Sequence, residues 1–217
     1  MQFPNAYKGV KKIWLAELMM LAAAVLGIVL VVILVAGGLN ATGNVEDIHL
    51  NDTQAGATLG LTLTVSLLVI VAFVIMLIGV INAKKDDNNF RIALYAILLG
   101  ILLSSGNAIA GSSQPKIQQW LTLGSSICSL FSTYYIISGV MSLAEKLGNS
   151  EVRALGEKAR NILCFTFAAS ALLKLVPQFL DGPNVSNIIN LIGHVLDIIS
   201  YGFFLVLLTK GKKMLAE

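Results

Sequence analysis

Five polar residues recur through an apolar stretch near the C-terminus: Asn187, Asn190, His194, Asp197 and Tyr201. Successive steps of three or four residues put all five on one side of a helix. The opposite side is built from Ile188, Ile189, Leu191, Ile192, Val195, Leu196, Ile198 and Ile199, a surface that hydrocarbon tolerates. Lys174 stands in the apolar stretch just before. Counted from the outer ends of their helices at the helical rise, Lys174 and His194 lie ~9–10 Å in and Asp197 ~15 Å in. Two kinds of chemistry follow. A carboxylate and an imidazole on an accessible track can bind a cation or relay a proton, the usual work of ionisable groups at membrane depth. Alternatively, Lys174 and Asp197 neutralise each other and the asparagines complete a hydrogen-bonded seam between two helices. The sequence puts the seam first, because a single lysine–aspartate pair is common internal glue.

Other chemistry is poorly supplied. The chain has two histidines, His49 and His194, and two cysteines, Cys128 and Cys164. Neither H-E-x-x-H nor C-x-x-C, G-x-S-x-G or a Walker loop occurs, so an enzyme is not expected. Ser200 and His194 are six residues apart, on different sides of a helix, and make no dyad. A metal centre needs three or four convergent ligands; His194 and Asp197 supply two, so neither metal nor cofactor is expected. The cysteines fall at different depths and are read as free.

The elements that carry these residues are set by composition. Of 217 residues, 56% are hydrophobic and only 12% charged, about half the charge of a soluble domain. Six apolar runs reach the ~20 residues that cross a hydrocarbon core. They lie near 13–37, 58–82, 92–111, 119–143, 161–180 and 187–209. The expectation is an all-α, polytopic membrane bundle: one domain, six transmembrane helices as three hairpins. Lys8, Lys11, Lys12, Lys84, Lys85, Arg91, Lys146, Arg153, Lys158, Arg160, Lys210, Lys212 and Lys213 all fall on one side of that arrangement. Cytoplasmic loops collect lysine and arginine, so both termini are expected in the cytoplasm. The formal charge of +3 is then a topology signal, and the expected partner is a lipid bilayer rather than nucleic acid.

Small residues four apart predict where helices approach closely. The rows are Gly56 and Gly60 in the second span, Ala96, Gly100, Ser104 and Ala108 in the third, and Gly124, Cys128 and Ser132 in the fourth. The third and fourth spans, joined around Pro115, are expected to form a tight antiparallel pair, with Asn107 hydrogen-bonded near its outer end. Between the fourth and fifth spans, Ala144–Arg160 contains a helix stop at Gly148-Asn149-Ser150 and then a short amphipathic segment, expected to lie along the inner membrane face. Pro177 predicts a kink above Lys174.

The leading expectation of function is a non-catalytic accessory or scaffold component of a membrane assembly, with a membrane-protein partner or a second copy of the chain, in a bacterial cytoplasmic membrane. The alternative is a small permease or an ion or proton pathway using the track on the sixth span. No motif in the chain is specific to a known membrane family.

Overall fold

The computed structural model describes residues 2–36, 52–110, 115–173 and 183–217. Among them there are six helices and no strand: α1 (Pro4–Ala36), α2 (Asp52–Ala83), α3 (Asn88–Ala110), α4 (Pro115–Lys146), α5 (Ser150–Leu173) and α6 (Pro183–Ala216). Three of them open on proline, whose fixed φ suits the first turn and whose missing N–H would have no partner there anyway. The starts of α3 and α5 follow from side chains that accept from freed amides. Asp87 Oδ1 accepts from the Asn89 amide at 2.9 Å, and Asn149 Oδ1 from the Val152 amide at 3.0 Å, the N-cap arrangement.

The α4–α5 junction is a chain reversal with a defined stop. Gly148 sits at φ +68°, where a side chain would be strained. The Asn149 amide reaches Ala144 O at 2.8 Å and the Gly148 amide reaches Glu145 O at 3.0 Å, the paired bonds of a Schellman stop. The amphipathic segment expected to lie along the membrane is instead the first part of α5, which runs unbroken from Ser150 to Leu173. Its start is capped by Asn149, and Val152, Gly156 and Ala159 are buried on one side. With a packed face and no breaker before Leu173, the segment has no reason to detach.

Among the described residues, five helical segments are long and apolar enough to cross a membrane: Pro4–Leu34, Ala55–Ala83, Asn88–Ile109, Lys116–Lys146 and Ile192–Ala216. These helices suggest a multi-pass membrane protein. α5 is excluded by this measure because its first eleven residues carry Glu151, Arg153, Glu157, Lys158 and Arg160.

The chain divides into two compact units. Residues 12–78, the larger part of α1 and α2, form one, and large apolar side chains such as Ile28, Val32, Leu59, Leu63 and Leu67 stand exposed on it. Residues 1–11 and 79–217 form the other. In this second unit α3 packs on α4, α4 on α5 and α6, and α5 on α6. Its core is concentrated at one end, where Val10, Val80, Phe90, Ile137, Val140, Leu143, Leu207 and Leu208 are almost fully buried. That end also carries the helix-terminal charges. Where water is the solvent, burying each large apolar side chain contributes ~1.5–3 kcal/mol. Along the apolar stretches lipid tails can cover Leu or Ile as well as protein does, so that drive is missing and close packing takes over. The uneven distribution of core follows from the change of solvent along the helices.

Candidate functional site

The charged end of the larger unit is closed by a polar clasp on the α2–α3 turn. Asp87 is 4% exposed. Its Oδ2 accepts from Ser142 Oγ at 2.6 Å and Lys146 Nζ at 2.8 Å, while Oδ1 accepts from the Asn89 amide and side chain at 2.9 Å each. Burial pushes its carboxyl up; the bonds from Lys146, then Ser142, then Asn89 outweigh that and hold it below the usual aspartate value. Asp86 binds the other way, accepting from Asn5 Nδ2 at 3.0 Å and the Ala6 amide at 2.7 Å, which caps the start of α1. Lys146 Nζ also lies 5.8 Å from the centre of the Phe3 ring, within the range of a cation–π contact. Glu151 accepts from Lys210, tying α5 to α6, and is held below the usual glutamate value by that bond and charge. Arg153 bridges Glu145 at 3.1 Å and Glu157 at 3.5 Å. These contacts gather both chain ends, the α2–α3 turn and the α4–α5 turn at one place.

Sequence reading named neither Asp86 nor Asp87. The available signal was two acids in an otherwise basic turn, with Asn88-Asn89 following at N-cap spacing.

Beneath the clasp, helices touch through glycines. A Cβ on Gly139 would lie 2.5 Å from Phe90 Cε2, one on Gly211 2.8 Å from Val140 Cγ1, and one on Gly156 against Met141 and Leu207. None of these was in the expected small-residue rows. Of those rows, Gly100 and Gly124 lie at the α3–α4 contact: added Cβ atoms would be 3.3 Å from Cys128 Cβ and 3.0 Å from Leu103 Cδ1. Cys128 is buried there. Ala96 is half-buried, Ser104 and Ala108 are exposed, and Ser132 is half-buried with its hydroxyl donating to Ser129 O at 2.9 Å. Gly56 and Gly60 have nothing within 4 Å of an added Cβ among the described residues. Asn107 donates from Nδ2 to Thr122 Oγ1 at 3.3 Å across α3–α4; its Oδ1 is enclosed and accepts nothing among the described residues.

The polar track is divided by what the structure describes. Lys174 and the side chains of Asn187 and Asn190 lie outside the described residues, so the expected Lys174–Asp197 pair does too, as does Pro177. His194 and Asp197 are exposed on α6, Tyr201 is half-buried, and Ser200 is 9% exposed. The side of α6 that packs at the charged end runs through Ser200, Phe204, Leu207, Leu208 and Gly211. Asp197 is one heptad before Phe204 and two before Gly211, so it belongs to that same side. It is exposed two heptads before the level at which that side packs against Val140.

α4 does the same. Val140 meets Gly211 of α6, and one and two heptads back on α4 stand Thr133 and Ser126, with Ser129 between them. Ser126 and Ser129 are exposed and Thr133 half-buried. They lie away from Gly124 and Cys128, which face α3. On α5, the line from Gly156 leads through Leu163 to Ser170, flanked by buried Thr166. Beyond the glycine contacts, α4, α5 and α6 each carry small polar side chains along the lines that continue from those contacts. No group of three or more metal-ligating side chains occurs among the described residues. No protein family, curated protein or solved structure matches the chain.

Proposed function

We propose that the protein is a six-crossing membrane protein with both termini in the cytoplasm, acting as a small permease or ion pathway that uses the accessible Asp197 and His194 of α6. The charged end would face the cytoplasm, since the helix ends gathered there carry the lysines and arginines. α5 would supply the remaining crossing, in the apolar run read from the sequence near 161–180. One observation carries the transport reading: Asp197 and His194 are accessible although Asp197 lies on the side of α6 that is buried further along. A seam serving only to hold α5 against α6 would enclose the carboxylate, because an accessible polar pair adds little to helix association. The accessory or scaffold role expected first from sequence needs no such opening.

The glycine contacts then serve as the closed floor. Val140 on Gly211, Met141 and Leu207 on Gly156, and Phe90 on Gly139 leave no room for even a methyl group at those three glycines, and the clasp ties the helix ends below them. Passage would require these contacts to part. The test is solute-driven flux in proteoliposomes. Asp197→Asn is expected to abolish flux while expression and melting temperature stay near those of the parent. A parent protein that moves no ion or solute, with Asp197→Asn melting well below it, would return the carboxylate to a structural role.

A further inference from the structure

The carboxylates of the charged end are shared out unevenly. On the α4–α5–α6 side, Arg153 takes Glu145 and Glu157, and Lys210 takes Glu151. The α2–α3 turn holds two more, and both are spent on structure. Asp87 is paired with Lys146, while Asp86 is turned onto Asn5 and the Ala6 amide, which brings the start of α1 to the turn. Gly9 tightens that junction. A Cβ there would lie 2.5 Å from Gly79 O and 2.7 Å from Ala83 Cβ, so α1 runs against the end of α2 with no side chain between them. Around the junction stand Lys8 and Lys11 on α1, Lys84 and Lys85 just after α2, and Arg91 in the first turn of α3. Lys84 is half-buried and the other four are exposed. Among the described residues, none of the five enters an ion pair or a side-chain hydrogen bond. Five cations therefore share the junction with Asp86, a carboxylate that no cation holds.

Their places along the chain identify the counterion. The apolar runs begin near residue 13, end near 82 and begin again near 92. Lys11, Lys84, Lys85 and Arg91 are each within three residues of one of those boundaries, and Lys8 is about one turn further out. That is the level of the lipid headgroups. An anionic headgroup there supplies the charge that the fold withholds, and each lysine or arginine near the surface strengthens association about fivefold. We infer that the junction of α1, α2 and α3 binds the headgroup of an anionic phospholipid through Lys8, Lys11, Lys84, Lys85 and Arg91. This needs the bilayer setting of the reading above but no transport pathway.

The chain has two tryptophans, and Trp14 stands about one turn past Lys11 on α1. With Trp120→Phe as background, Trp14 reports on lipid beside this junction. The full chain is reconstituted in phosphatidylcholine vesicles, and its fluorescence is quenched with phosphatidylglycerol or phosphatidylcholine brominated on the acyl chains. Phosphatidylglycerol should be preferred about fivefold or more. Lys84→Gln with Lys85→Gln should return the preference toward one. So should 1 M salt, where the Debye length falls to ~3 Å. Lys158→Gln with Lys213→Gln removes the same charge away from the junction and should leave the preference intact. Where the first pair of substitutions does not fold, Lys8→Gln with Lys11→Gln and the salt series on the parent decide the matter. Equal quenching by the two lipids would overturn the proposal. A preference lost as fully in the Lys158 and Lys213 variant would also overturn it, by reducing the junction to bulk surface charge. Equal quenching with capture of the detergent-solubilised chain on immobilised polyglutamate would assign the junction to an acidic protein, again against the proposal. Flux plays no part in the readout, so a failure here is distinct from a failure of the pathway reading.

Discussion

Replacing Gly139 by alanine puts a methyl carbon 2.5 Å from Phe90 Cε2, 2.8 Å from Cζ and 2.9 Å from Cδ2. Ordinary contact begins at 3.4 Å, so the ring must retreat by 0.9 Å. Phe90 is 0% exposed and has nowhere to go without moving its neighbours. Overpacking of a core costs about 1–3 kcal/mol, and three close approaches to a rigid ring put this case at about 3. Alanine returns about 1 kcal/mol of helix propensity over glycine, leaving a loss of about 2. For a chain of this length that lowers the melting temperature by about 4–8 °C. Gly60→Ala is the control: nothing lies within 4 Å of its Cβ among the described residues, so the propensity term stands alone and stability should hold or rise. Thermal melts of both variants in the same detergent give the comparison. Phe90→Leu in the Gly139→Ala background should recover part of the loss, because the two substitutions share one contact. If Gly139→Ala melts with the parent, or Gly60→Ala falls as far, the packing argument for the floor is wrong.

The clasp predicts a pH dependence of known sign. Asp87 is held below its usual value in the fold, so the stability it contributes is fully present above about pH 4 and is lost as pH falls through the folded value. Melting temperature should fall on the acid side of about pH 4, and Asp87→Asn should flatten that fall while costing about 1–3 kcal/mol at neutral pH through its charged hydrogen bonds. Glu151→Gln breaks an ion pair whose side chains are 73% and 45% exposed; its melting temperature is expected to match the parent's at physiological salt, since such pairs are screened. Asn107→Ala removes an interhelical bond of 3.3 Å together with an acceptor that has no partner among the described residues. It should therefore change the stability of the α3–α4 pair by less than about 1 kcal/mol in the same assay.

The helices and their number were legible because bulk properties set them. Apolar runs of about twenty residues or more and a Gly148-Asn149 stop require no knowledge of neighbours. The face that carries Asp197 was also legible, since spacing alone puts Asn190, His194, Asp197 and Tyr201 on one side. The helical length of α5 was not, because its charged beginning resembles a surface connector until Val152, Gly156 and Ala159 are seen to be buried.

Small-residue spacing found Gly100 and Gly124 at the α3–α4 contact but passed over Gly139, Gly156 and Gly211, which stand in no conspicuous row. A glycine touches nothing by itself; whether a Cβ would fit depends on the side chain opposite, here Phe90, Met141 or Val140 on another helix. Asp87 shows the same division. Its position in a polar turn is written in the chain, but its four donors come partly from Ser142 and Lys146, more than fifty residues away. Local spacing determines which side of a helix is polar. Only the packing of one helix on another decides whether that side is sealed, clasped or left open, because burial is a property of the space between elements and not of either element alone.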